Sequence, residues 1–203
     1  MKIICIGRNY LDHAREMNSP LPEVPLFFMK PDTALIRNNN PFFYPDFSSD
    51  IHYELEVVLK ITRLGKNISE KFAHRYYSEI GLGVDITARD LQKKCIEKGL
   101  PWEMAKSFDN SAAISNFIPK KELDDIYCLS FELEKNGVVV QKGNTKDLIF
   151  SFDKLVSYVS KYITFRTGDL MFTGTPAGVG PFQIGDRLRA FLNGNLMLDF
   201  FIR

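Results

Sequence analysis

The chain reads as an α+β protein dominated by mixed β-sheet, on three features of its sequence. Strand-like runs outnumber helical ones from end to end. Residues 131–135 and 138–142 flank Asn136-Gly137, a strong short hairpin signal. No internal repeat, low-complexity tract or linker divides the 203 residues, so 1–203 is expected to be one domain. A chain of this length can bury a core without covalent staples.

In order, residues 2–6 predict a strand, and 10–17 a short helix with Tyr10, Ala14 and Met17 at helical spacing, stopped by Asn18-Ser19-Pro20. Residues 26–29 predict a strand; 38–41 and 46–50 are loops by composition. The stretch His52-Tyr53-Glu54-Leu55-Glu56-Val57-Val58-Leu59 predicts a strand that turns Glu54 and Glu56 to one side and Tyr53, Leu55, Val57 and Leu59 to the other. After a turn at 65–67, a helix is expected over 69–77 and a buried strand over 80–86 carrying the lone charge Asp85. Thr87 is placed to cap a helix over 88–98, with Asp90 in its first turn and Gly99-Leu100-Pro101 as its stop. Residues 151–162 form an amphipathic pattern with Leu155, Tyr158, Val159 and Tyr162 on one stripe. Strands follow at 170–173, 186–192 and 196–202, the last two joined at Asn193-Gly194.

Composition excludes several classes. Lys plus Arg (26) nearly balances Asp plus Glu (25), leaving +1, so no global field advertises nucleic acid or an anionic membrane as partner. The apolar run at the N-terminus is too short for a signal peptide, and nothing approaches the roughly 18 apolar residues of a membrane span. Cys5, Cys95 and Cys128 are few, odd in number and scattered, which argues for reduced thiols and a cytoplasmic setting rather than a disulfide framework.

Chemistry concentrates in a few places. Two acids on one side of a strand, Glu54 and Glu56, repel unless a cation sits between them, which makes them candidates for a hard, oxygen-liganded metal; the same pattern also describes a solvated strand face. Asp85, closing an apolar strand, is either a third ligand or a partner of the helix N-terminus that follows. Lys106 stands among apolar and aromatic neighbours, either as a solvated lysine or as a fixed positive charge for an oxyanion. The loop from Thr173 to Pro181 lacks the Lys-Ser/Thr ending of a phosphate-binding loop; it reads as tight turns or as N–H groups and a threonine hydroxyl gathered around a carboxylate or enolate. His13 and Glu16, three apart on a helix, could move a proton as a pair or merely face solvent. His52 and His74 have no partner near in sequence and are read as structural.

Taken together, Gly7-Arg8-Asn9-Tyr10 with His13 and Glu16, Phe28-Met29-Lys30-Pro31, His52 to Glu56, Asp85 to Asp90, Gly99 to Trp102 with Ala105 to Phe108, and Thr173 to Pro181 resemble the fumarylacetoacetate hydrolase family. The likeness is to its short acylpyruvase and oxaloacetate decarboxylase members. The resemblance implies a mixed β-sheet roll with a few short helices, a homodimer, and one Mg²⁺ or Mn²⁺ held by Glu54, Glu56 and Asp85. It also implies Lys106 as the active-site lysine and His13 with Glu16 as the acid–base pair. Lys30, Arg89, Gln92 and Thr175 are then the residues facing a small 2-oxo or 2,4-dioxo acid. The lack of the long members' extra N-terminal domain argues against fumarylacetoacetate itself as substrate. The implied reaction is C–C cleavage of an acylpyruvate to pyruvate or decarboxylation of oxaloacetate, with enol–keto tautomerisation or a non-catalytic binding role as the alternatives.

Overall fold

The structure, a computed structural model, describes residues 1–17 and 20–203. Asn18 and Ser19, part of the expected helix stop, lie outside the described residues. In chain order the strands are β1 (Ile3–Gly7), β2 (Leu26–Lys30), β3 (Leu35–Ile36), β4 (Ile51–Tyr53), β5 (Leu55–Ile61), β6 (Tyr77–Asp85), β7 (Thr87–Ala88) and β8 (Ala112–Ile114). Then come β9 (Ile118–Pro119), β10 (Ser130–Lys135), β11 (Val138–Asn144), β12 (Leu170–Phe172), β13 (Gly180–Pro181), β14 (Arg187–Leu192) and β15 (Asn195–Phe201). Helices are short: α1 (Leu11–Glu16), α2 (Glu70–Ala73), α3 (Arg89–Lys98), α4 (Glu103–Lys106) and α5 (Phe152–Ser160). None is long and apolar enough to cross a membrane.

The large sheet runs β2-β1-β12-β5-β6-β8-β3, with β9 also paired to β6. It is mixed, since β1 pairs β12 and β3 pairs β8 in parallel while the other ladders are antiparallel. A four-stranded sheet, β11-β10-β14-β15, and a small one, β13-β4-β7, complete the curled architecture. The alternation of side chains along each strand divides the apolar residues of the large sheet between two clusters. Ile4, Ile6, Leu55, Val57, Leu59, Leu82 and Val84 join the main core with Leu133, Leu188, Phe200 and the α5 residues Phe152, Leu155, Val156 and Val159. Ile3, Cys5, Val58, Ala112, Leu170 and Phe172 form a smaller cluster on the other face. Strand parity puts Glu56 and Asp85 on that second face, beside Val58.

Several expected boundaries shift for physical reasons. The helix expected over 69–77 is a single turn, because Tyr77 is fully buried as the first residue of β6. The strand expected over 52–59 breaks at Glu54, whose carbonyl accepts from Asp85 N across the gap between β4 and β5. Thr87 does not cap α3: it pairs with His52 in β7, and Ala88 occupies the cap without a side-chain bond while Arg89 N donates to Asp50 O. Gly99 ends that helix as expected, in the left-handed conformation at φ 63°. On α5 the expected stripe is rotated, since Phe152 and Val156 are buried and Tyr162, beyond the helix end, is 59% exposed. The hairpin forms as expected, with Asn136 and Gly137 at φ 53° and 82°. All three cysteines are free.

Candidate active site

Glu54, Glu56 and Asp85 are all buried, and each offers an oxygen within 4.8 Å of the others. That removes the solvated-strand reading of the acid pair. Three carboxylates withdrawn from water need compensation, and three cations supply it. Lys106 Nζ, carried on α4, lies 2.7 Å from Glu54 Oε2, 3.0 Å from Asp85 Oδ2 and 2.6 Å from Thr87 Oγ1. The hydroxyl of Thr87 thus serves the lysine rather than the helix. Arg89, at the start of α3, donates to Glu54 Oε1 at 2.6 Å and to Gln92 Oε1 at 2.5 Å. Lys30 Nζ sits 2.8 Å from Asp85 Oδ1 and donates to the Ser111 carbonyl and hydroxyl at 2.9 and 3.0 Å and to the Lys106 carbonyl.

This arrangement pushes the two glutamates in opposite directions. Burial alone would raise the Glu54 carboxyl, but the Lys106 ammonium and the Arg89 guanidinium hold it well below the usual carboxylate range. Glu56 goes the other way. Its burial, and then the nearby Asp85 and Glu54 carboxylates, push it well above that range, and its only hydrogen bond among the described residues is from Gly174 N at 2.6 Å. Burial would lower the Lys106 ammonium, yet Asp85 and Glu54 outweigh it and raise it.

His13 and Glu16 project from α1 onto the same region, with His13 Nδ1 3.3 Å from Glu16 Oε2. Gly178 N lies 3.1 and 3.2 Å from the two Glu16 oxygens. The loop from Thr173 to Pro181 does gather N–H groups around carboxylates, but those carboxylates are the protein's own: Gly174 N holds Glu56 and Gly178 N holds Glu16. Both glycines are required there. They have φ of 104° and 96°, and a Cβ would come within 2.6 Å of Asn9 Cβ at the first and of the Val140 carbonyl at the second.

A small cavity of about 50 Å³ joins these parts, and His13, Glu54, Glu56, Asp85, Arg89, Gln92, Lys106 and Thr175 all line it. Of the residues expected to face a ligand, Lys30 is missing from the wall: with its side chain fully buried it stands behind Asp85, so it braces a carboxylate instead. An oxygen-only donor set suits a hard divalent cation. Glu56, whose one hydrogen bond among the described residues is from Gly174 N to Oε2, has its other oxygen free for that use. The charges fit too. With all three acids ionised, Lys30, Arg89 and Lys106 balance them, so a bound divalent ion leaves the site positive by two, the charge a dianionic acid neutralises.

Residues 2–198 match the family described as fumarylacetoacetate (FAA) hydrolase C-terminal. The chain belongs to the fumarylacetoacetate hydrolase family. It is 42% identical over 198 residues to the mitochondrial oxaloacetate tautomerase of Bos taurus, covering 98% of this chain and 90% of that protein. It is 38% identical over 206 residues to the mitochondrial oxaloacetate decarboxylase of Dictyostelium discoideum, covering 100% and 94%. Among solved structures, the fumarylpyruvate hydrolase of Pseudomonas aeruginosa in complex with Mn²⁺ and pyruvate superposes with a TM-score of 0.94 at 36% identity, covering 100% of this chain and 89% of that one.

Two contacts near the cavity have no clear mark in the sequence. Gln141, on β11, is buried, accepts from Leu55 N at 2.9 Å, and donates to Thr175 Oγ1 at 2.9 Å and to the Pro176 carbonyl at 3.0 Å. It therefore ties the backbone between Glu54 and Glu56 to the loop. Because Thr175 Oγ1 accepts from Gln141, its own proton is left to donate into the cavity. A β-bulge makes this possible: Leu133 pairs with Gln141 but Glu134 pairs with Val139, and the extra residue re-aims the strand. A polar residue inside the hairpin is the only signal of it in the sequence. The second is His52, whose Nε2 lies 2.8 Å from Asp50 Oδ1, so the histidine does have a partner two residues away.

Proposed function

We propose that this chain is a divalent-metal-dependent enzyme that interconverts the enol and keto forms of oxaloacetate or a closely similar small 2-oxo dicarboxylic acid. The observation that carries this reading is His13 on the wall of the cavity that also exposes the three buried acids, with Glu16, off that wall, 3.3 Å from its Nδ1. Glu54, Glu56 and Asp85 would hold Mg²⁺ or Mn²⁺, which supplies a Lewis acid for the carboxylate and 2-oxygen of the acid.

The remaining work belongs to side chains. Arg89 and Gln92, locked to each other, present a rigid polar edge to the acid, and Thr175 donates to its carboxylate. Lys106 holds Glu54 ionised, donates to Asp85 and adds positive charge where the enolate oxygen develops. The Glu16 carboxylate, oriented by Gly178 N, and the His13 ring transfer the proton: one leaves the 2-hydroxyl, one arrives at C3, and no carbon–carbon bond changes.

The cleavage reading has its own support, in the likeness to a hydrolase holding Mn²⁺ and pyruvate and to an oxaloacetate decarboxylase. In that reaction the same pair would activate a water. One experiment separates the two: oxaloacetate is supplied with Mg²⁺ or Mn²⁺ or with excess chelator, and enol decay and pyruvate are followed separately. Accelerated enol decay without pyruvate, lost in chelator and in Glu16→Gln, is the expected result. Stoichiometric pyruvate would favour cleavage, and enol decay no faster than in buffer would overturn the proposal.

A further inference from the structure

The cations of the inner site are all engaged. Lys106 is shared by Glu54 and Asp85, Arg89 by Glu54 and Gln92, and Lys30 by Asp85. A dicarboxylic acid bound there through its 2-oxo acid head still carries a second carboxylate, and that charge needs a donor of its own.

Arg8 is a cation on the same wall, and it makes no hydrogen bond or ion pair with any described residue. Its backbone is also unusual. Arg8 has φ 59°, a left-handed conformation that glycine adopts freely and an arginine does not. The flanking structure imposes it. Gly7 is the last residue of β1, and Asn9 is fully buried, donating to the Thr173 and Phe150 carbonyls at 2.8 and 3.1 Å and accepting from Phe150 N at 2.8 Å. The turn is thus pinned on both sides, and Arg8, with no ion-pair partner among the described residues, is the charged residue it sets on the cavity wall.

We infer that Arg8 is the specificity residue of this site, pairing with the distal carboxylate of a bound dicarboxylic acid and so selecting dicarboxylic over monocarboxylic 2-oxo acids. The inference rests on the proposed action on small 2-oxo acids and goes further, in naming the charge the substrate must carry at its far end.

The test uses binding, so that it does not depend on which reaction is catalysed. Malate and lactate share a chelating 2-hydroxy acid head and differ by the distal carboxylate. Calorimetry of the Mn²⁺-loaded protein is expected to show malate bound more tightly than lactate. Arg8→Gln is expected to weaken malate about ten- to a hundred-fold, the range of a lost charge-assisted pair, and to leave lactate unchanged. Arg8→Lys should restore part of the malate affinity. Arg8→Gly, which relieves the left-handed backbone, should lose malate affinity equally while its thermal midpoint stays level or rises, an outcome that a merely structural arginine would not give. Equal affinity of wild type for the two acids, or equal weakening of both in Arg8→Gln, overturns the assignment. Selective loss of malate binding upholds it even if oxaloacetate is not tautomerised, so the two ideas can fail separately.

Discussion

Replacing Glu56 by glutamine isolates the one acid of the cluster that has no cation of its own among the described residues. Glu54 and Asp85 each have two cationic partners at 3.0 Å or less, whereas Glu56 has only Gly174 N. Oxygens of the three acids lie within 4.8 Å of one another, where two unit charges repel by about 3–4 kcal/mol at an effective dielectric near 20. Burial and that repulsion keep Glu56 protonated above the ordinary carboxylate range. Because a single acid is left without a cation, a divalent ion entering the cluster should displace one proton, and affinity should rise about tenfold per pH unit, or about 1.4 kcal/mol, until Glu56 ionises unaided. Calorimetry of Mn²⁺ binding in buffers of different ionisation enthalpy counts that proton. The metal-free protein reports the same group with opposite sign. An acid whose folded pKa is raised binds its proton more tightly folded than unfolded, so its contribution to stability falls as pH rises from the ordinary value toward the raised one. Glu56→Gln does not titrate, and its thermal midpoint should pull ahead of wild type by about 3–5 °C per pH unit across that window. A wild type that releases no proton on binding Mn²⁺, or a midpoint difference that stays constant with pH, would refute the reasoning.

Gln141→Glu keeps the acceptor for Leu55 N but removes the donors to Thr175 and Pro176. It should cost about 1–3 kcal/mol of stability in melting experiments and raise KM for the acid, since Thr175 loses its orientation. Gly174→Ala must place a Cβ 2.6 Å from Asn9 Cβ at φ 104°, and should destabilise by about 1–3 kcal/mol while weakening metal binding through Glu56. His13→Ala, measured on enol–keto exchange at saturating substrate, should lower kcat by about 10²- to 10⁴-fold with the metal affinity unchanged.

Much of the site is legible in the amino-acid sequence. Glu54, Glu56, Asp85 and Lys106 stand out as charges in apolar runs, and burial of charge is costly enough that such residues are either surface or paired. The hairpin at Asn136-Gly137 and the stop at Gly99 are equally plain, because a left-handed backbone is a local demand that only a few residue types meet. Helix limits are less legible. Residues 69–77 have helical character, but Tyr77 gains more by entering the core as the start of β6 than by extending a turn. Lys30 reads as a charge for the ligand, and nothing local says that its ammonium passes behind Asp85 to reach Ser111.

What the amino-acid order determined by itself is the inventory: which strands alternate, where the chain must turn, and which acids and bases are too embedded in apolar sequence to be solvated. The tertiary structure alone decided who meets whom. Gln141 reaches Leu55 and Thr175 from 86 and 34 positions away, and Gly174 reaches Glu56 across 118. Contacts of that separation depend on sheet order and on a bulge one residue long, and neither leaves a periodic mark in the sequence.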